Sequence, residues 1–210
     1  MRPAVQAELS MELITARLRL DALRESDVDT FFRYRADPSV ACYQGWCPAS
    51  RDEALAFIVS QQQASLDIPG SWLQFAIRLP ADGCLIGDLG LHLPADADGS
   101  YEFGITIAPA YQGRGYAREA VAALFGLLFR GLGAHRVHAS IDPRNVASAA
   151  LLRSLGMRQE AHFRESLKLR GEWVDDVIHA LLAREWAGAD KHPQGCSDPF
   201  CVGVTGSVRS

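Results

Sequence analysis

Two glycines one residue apart open the run Gly113-Arg114-Gly115-Tyr116-Ala117-Arg118-Glu119-Ala120, and a strongly helical segment follows at once. Without side chains at Gly113 and Gly115, backbone N–H groups can converge on an anion, and the positive end of the helix dipole adds to the attraction. Arg114 and Arg118 supply formal charge beside that turn. A diphosphate-bearing ligand is the natural guest. Two nucleotide-binding patterns do not fit it. The dinucleotide fingerprint needs Gly or Ala at the sixth position of G-x-G-x-x-G, where this chain has Arg118, and G-x-x-x-x-G-K-[ST] is absent.

A second group with chemical potential is Asn145 and Ser148, three residues apart at a helix start, so that both side chains face one side beyond the end of a strand. Asn145 also suits a helix N-cap and Ser148 the third helical position. Glu102 lies on the strand that feeds the glycine loop, and His92, a group that titrates near neutrality, ends the strand before it. His138 and His179 read as sheet-face residues. The cysteines are five, an odd number, at Cys42, Cys47, Cys84, Cys196 and Cys201, with no C-x-x-C among them. Reduced structural thiols are expected, with no disulfide framework, no metal site and no cysteine nucleophile.

Positioning these groups requires a mixed framework. "LITARLRL" alternates apolar and polar residues from Leu13 to Leu20, predicting a half-buried strand. Helices are predicted over Ser26 to Arg35, ended by Asp37-Pro38, and over Arg51 to Gln63, where Ser50 and Glu53 have the spacing of a capping box. Strands Trp72 to Leu79, Leu85 to Leu93 and Tyr101 to Ile107 make an antiparallel meander, the first pair joined by the Asp-Gly of "PADG". Apolar residues at Ala117, Val121, Leu124, Phe125, Leu128 and Leu132 put one stripe on a helix from Arg114 to Leu132. The strand Arg136 to Ile141 should then lie parallel to Tyr101–Ile107, as a crossover helix dictates. A helix from Asn145 to Leu155, closed by Gly156, and a hairpin of Ala161 to Leu169 with Trp173 to Leu181 complete the body.

The chain has 210 residues, formal charge −4 and 48% hydrophobic residues, the balance of one globular domain and no general affinity for nucleic acid. Its organisation is expected to be a leader over residues 1–10, one domain over 11–186 and a tail over 187–210. No apolar run approaches the roughly 20 residues of a membrane span, and a cytoplasmic location is expected.

The loop resembles the [RQ]-x-x-G-x-[GA] motif of the GNAT superfamily of acyl-CoA-dependent N-acyltransferases, present as Gln112-Gly113-Arg114-Gly115-Tyr116-Ala117. "YEFGITIAP" is similar to that family's fourth strand, "IDPRNVASAALLRSLGM" to its strand-loop-helix with N-x-x-S, and "RESLKLRGEWVDDVIHALL" to the closing hairpin of the RimJ/RimL branch. The resemblance spans about Met11 to Trp186. It implies an α+β GNAT fold: a central, mostly antiparallel twisted sheet with one splayed parallel strand pair, flanked by helices. It also implies acetyl-CoA as co-substrate, with its diphosphate on the amides from Gly113 to Ala117 and its pantetheine arm along Ile105, Thr106 and Ile107 and at Asn145. Glu102 would act as general base, with His92 as the alternative, and Ser148 would protonate the departing thiolate. The amine acceptor, a protein N-terminus or a small molecule, is expected against Tyr43, Trp46, His92 and Trp173. A non-catalytic acyl-CoA-binding module, or a transferase of another acyl group such as succinyl, would carry the same loop. A homodimer through the final strands is a further expectation.

Overall fold

The computed structural model describes residues 12–96 and 98–186; the expected leader, and the expected tail with Cys196 and Cys201, lie outside the described residues. The strands are β1 (Leu13–Ile14), β2 (Arg19–Ala22), β3 (Trp72–Arg78), β4 (Leu85–His92), β5 (Ser100–Ile107), β6 (Arg136–Ile141), β7 (Arg158–Leu169) and β8 (Glu172–Leu182). They form one sheet in the order β1-β2-β3-β4-β5-β6-β8-β7, antiparallel throughout except for β5 beside β6. The helices are α1 (Val28–Arg35), α2 (Pro38–Ala41), α3 (Arg51–Gln61), α4 (Tyr116–Gly126) and α5 (Val146–Ser154). This is the mixed α+β architecture expected. Among the described residues no helix is long and apolar enough to cross a membrane.

Several boundaries differ from the expectation, each for a local reason. The predicted first strand is a hairpin, β1 and β2, because Thr15 closes a turn: its N–H donates to the Leu18 carbonyl at 2.9 Å and its hydroxyl oxygen accepts the Leu18 N–H at 2.9 Å. Period-two alternation continues through both arms, so it cannot reveal the fold-back. Asp37 ends α1 but caps α2, accepting the Ser39 N–H at 2.9 Å. Ser50 caps α3, whereas the Glu53 carboxylate accepts from Ala49 N–H and the Trp46 ring N–H and leaves the capping box half formed. The long helix begins only at Tyr116, since Gly115 has φ 81°, and ends in a wider π turn over Leu127–Gly131, with Leu132 N–H bonded to the Leu127 carbonyl at 3.0 Å. The last hairpin starts at Arg158, ahead of the predicted Ala161.

The sheet's two faces have different covers. On one, Phe125, Leu124 and Val121 of α4 and Leu128 of the π turn after it pack on Leu89, Leu91 and Phe103, with the Phe103 and Phe125 rings edge-to-face at 5.6 Å. On the other, Phe31 and Tyr34 of α1 and Ala54 and Ile58 of α3 cover Ala76 and Leu85. That second face also holds charge. Asp88, fully buried in β4, accepts from the Tyr34 hydroxyl at 2.5 Å, from Arg35 Nε at 3.0 Å, from Arg35 Nη2 and from Gln74 Nε2. Burial, and then the Asp88 charge, hold the Tyr34 hydroxyl well above its ordinary pKa, so it remains a donor. Arg78 is buried likewise between Asp21 and Asp27, at 2.6 and 2.7 Å.

Removing one member of such a buried cluster strands its partner's charge, which costs roughly 3–5 kcal/mol. Arg35→Met and Asp88→Leu are each expected to destabilise by about that amount in urea unfolding, and the double variant by clearly less than the sum.

Candidate active site

The glycine loop bends as its residue types require. Gly113 and Gly115 have φ of 74° and 81°, a region in which L side chains are strained, and an added Cβ on Gly113 would meet nothing within 4 Å. The amides of Gly113, Arg114 and Gly115 take no acceptor among the described residues, and the first amides of α4 have none within the helix. Gln112 turns its side chain back instead, donating from Nε2 to the Ile107 carbonyl at 2.9 Å. The Arg114 guanidinium lies 5.6 Å from the Tyr111 ring centre.

The loop is held from the far end of the sequence, an arrangement that no spacing in the chain reveals. Arg17, in the β1–β2 turn, pairs with Glu119 of α4 at 2.6 Å, donates from Nη1 to the Arg114 carbonyl at 3.1 Å and lies 4.8 Å from the centre of the Tyr116 ring. Glu119 also accepts the Thr15 hydroxyl at 2.6 Å and the Arg17 N–H at 2.9 Å.

From this loop the chain leads back along β5 into an opening in the sheet. β5 pairs with β6 only over residues 100–102 with 136–138, while its pairing with β4 continues to Ile107. Ala108 N–H bonds to Ile86 on β4 at 2.9 Å, so by alternation Ile105 turns its N–H and C=O toward the unpaired side. Thr106 is buried on the opposite, α1–α3, face and pairs in register with Asp88. Beyond the end of β6, Asn145 accepts the Ser148 N–H at 3.0 Å and so caps α5. The Ser148 hydroxyl is half-buried and has no partner among the described residues.

Glu102 stands where the two parallel strands part. In register it lies between His92 on β4 and His138 on β6, with His138 Nε2 3.9 Å from its carboxylate. Burial pushes the Glu102 carboxyl above the ordinary glutamate pKa; His92 opposes that shift and Asp176 adds to it. Burial, with help from the Arg136 charge, holds His138 below the ordinary histidine value. His138, read from the sequence as a sheet-face residue, thus flanks Glu102 through a β5–β6 register that neither strand's own pattern reveals.

The residues expected to face an acceptor have different surroundings. Tyr43 lines a cavity of about 320 Å³ with Cys42, Arg144, Leu169, Arg170 and Glu172. Trp46 packs on Phe57 at 4.7 Å and on Phe31 at 6.5 Å, in the apolar cluster of α1 and α3. Trp173 is 61% exposed at the β7–β8 tip, with the Lys168 ammonium 5.9 Å from its ring centre. His92 stays beside Glu102 and meets the Trp72 ring at 5.1 Å between centres. Trp72 was not anticipated, because the β3–β4 register that sets it opposite His92 cannot be read from either strand alone.

Burial alone would raise the Glu119 carboxyl, but the bonds from Thr15 and Arg17 and the Arg17 charge hold it below the ordinary glutamate value. A carboxyl depressed on folding stabilises above its unfolded pKa and loses that contribution as pH falls through the folded one. Glu119→Gln should therefore speed amide hydrogen exchange over residues 13–18 and 113–118 at neutral pH and destabilise by about 1 kcal/mol, a figure discounted for the exposure of Arg17. The unsubstituted chain should approach the same exchange rates as pH drops below the usual glutamate range.

Comparison with known proteins agrees with this geometry. A model of the acetyltransferase (GNAT) domain matches residues 17–158. Over 176 residues the chain is 31% identical to the N-acetyltransferase p20 of Bacillus licheniformis, across 84% of this chain and 98% of that one. Over 83 residues, 40% of this chain and 43% of the other, it is 34% identical to the ribosomal protein uS5-alanine N-acetyltransferase of Escherichia coli (strain K12). A GNAT-family acetyltransferase structure from Bacillus anthracis superposes with a TM-score of 0.75 at 25% identity, covering 83% of this chain and all of that one. A glycine-bent amide loop ahead of α4, a parallel strand pair that parts after three residues, and a family match over most of the chain lead to one assignment: this chain belongs to the GNAT acetyltransferase family.

Proposed function

We propose that this enzyme, of RimJ/RimL type, moves an acetyl group from acetyl-CoA to a primary amine within one ternary complex, with no covalent acyl-enzyme. The observation that carries this reading is the parting of β5 from β6 beyond Glu102 and His138, which leaves a strand edge open on the way to the glycine loop.

The residues present fit acetyl-CoA. Unpartnered amides at 113–115, with open space above Gly113, suit a diphosphate, and Arg114 and Arg118 lie beside them. The free edge at Ile105 suits an arm that pairs like a strand, and the Asn145 amide remains available to the same arm after capping α5. Acetyl-CoA brings the acyl group as a thioester, whose carbonyl is open to a nitrogen nucleophile.

The chain's own groups then have separate tasks. Glu102, kept basic by partial burial, takes a proton from the acceptor's ammonium so that the nitrogen lone pair is free. The Ile105 N–H, turned to the open side, is the donor available to a carbonyl oxygen. As the new C–N bond forms and the C–S bond breaks, Ser148 gives its hydroxyl proton to the departing sulfur, the nitrogen releases its extra proton to solvent, and Ser148 recovers one from solvent. The acceptor is a protein N-terminus or a small amine; the relative that acts on the alanine of ribosomal protein uS5 makes an N-terminal alanine peptide the first to try.

Free thiol released from acetyl-CoA in the presence of an amine panel measures the reaction. Glu102→Gln is expected to lower kcat/KM by about 10² to 10³, and Ser148→Ala by about 10-fold or more. The acid limb of kcat/KM should lie above the ordinary glutamate range, because the base must lose its proton and its pKa is raised, and that limb should vanish in Glu102→Gln. A thermal shift with CoA and no thiol release with any amine would mark a binding module instead.

A further inference from the structure

β4 and β5 lie in the middle of the sheet, yet each carries a glycine at the same level: Gly90 and Gly104 are paired in register. Glycine inside a strand weakens it and often marks the close approach of a ligand or of another backbone. Gly90 has a packing reason. A Cβ there would sit 2.9 Å from Gln74 Oε1 and 3.2 and 3.3 Å from atoms of the Trp72 ring, so the bare position lets Trp72 lie across β4. Gly104 has no such reason. A Cβ added to it would meet nothing within 4 Å, and the residue is exposed in a strand whose neighbours in the sheet are in place on both sides.

Gly104 thus leaves a bare stretch of strand backbone, and about 5 Å across the sheet from it the Trp72 ring rests on Gly90. Two residue pairs along from Gly90 and Gly104, on the same face of the sheet, stands a transverse row, Trp72 on β3, His92 on β4, Glu102 on β5 and His138 on β6, each in register with the next. Trp72 is 44% exposed, a large fraction for a tryptophan laid over its own sheet. The fixed charges around the row favour a cation. Glu102 and Asp176 are near enough to repel each other, whereas the Arg136 guanidinium, whose charge acts on His138, is paired with Glu160 at 2.7 Å. On the far side of Gln74, the Arg35 charge is matched by Asp88.

Resting on the acetyltransferase reading above, we infer that the bare backbone at Gly104, walled by Glu102 and by the Trp72 ring that rests on Gly90, is the acceptor's binding site, and that it takes a primary ammonium ion carried on an unbranched apolar arm. The arm lies against the Trp72 ring, the ammonium stands between the ring face and the Glu102 carboxylate, and the absent Cβ of Gly104 makes the room. Binding to an aromatic face and a carboxylate together selects a cation over a neutral group of the same shape.

Hexyltrimethylammonium, which cannot be acetylated, tests the site without turnover. Titration calorimetry should show it binding at least 10-fold more tightly than n-hexanol. Trp72→Leu and Gly104→Val should each weaken it by about 5- to 30-fold, and Trp72→Phe should restore most of the affinity. Gly104→Val enters open space, so its folding can be verified by an unchanged thermal midpoint. With n-hexylamine as acceptor, the same variants should raise the KM for the amine by a similar factor while kcat falls less than about threefold and the KM for acetyl-CoA holds. Equal binding of the alcohol and the quaternary ion, indifference to both substitutions, or a rise confined to the acetyl-CoA KM would overturn the assignment. Binding that behaves as described, with no acetyl transfer to any amine, would instead refute the enzymatic reading and leave the cation site standing.

Discussion

Everything in the candidate site depends on where parallel pairing between β5 and β6 ends. Three residue pairs join the strands, after which each follows its own antiparallel neighbour: β5 stays with β4 as far as Ile107, and β6 stays with β8 as far as Ile141. A strand has two edges, and each of these keeps its other edge fully paired, so the opening can persist without unsatisfying the rest of the sheet. The sheet is thus two half-sheets joined by a short seam. Glu102 and His138 are the last residues of that seam, which partly removes both from water and accounts for the opposite directions in which their pKa values move.

Charge that crosses long stretches of sequence braces the opening on both faces of the sheet. At the loop end, Arg17 and Glu119 tie the β1–β2 turn to the start of α4, so the glycine bend is braced from outside rather than by its own side chains. On the opposite sheet face, Asp88 gathers Tyr34, Arg35 and Gln74, which locks α1 to β3 and β4. Arg35 also reaches Gln44 at 3.3 Å, and that contact extends the cluster toward the segment bearing Tyr43. Such buried charges are weak contributors to net stability compared with apolar packing, but they admit few alternative arrangements. Their placement around the opening matches a need for geometry more than for binding strength.

Much of this was legible beforehand, because it rests on local rules. The amide loop follows from two glycines before a helix, and α3 from Ser50 as its cap. The β3–β4–β5 meander follows from alternation punctuated by turn formers. Where local rules were misleading, a longer contact overruled them. Thr15 folds a continuous alternating pattern into two strands, and Glu53 leaves its capping partner for Trp46 and the Ala49 amide. Trp46 itself, an aromatic in an irregular segment, completes the stack with Phe57 and Phe31.

The sequence alone determined the chemistry of the loop, the order of the elements and the parallel sense of β5 and β6, since each follows from residue type, short-range periodicity or the handedness of a crossover. Only the tertiary structure decided how far β5 and β6 stay joined, which histidines flank Glu102, and that Gly90, paired with Gly104, lies beneath Trp72. Those are matters of register between strands far apart in the chain. A shift of one residue would turn every side chain to the other face while leaving each strand's own pattern intact.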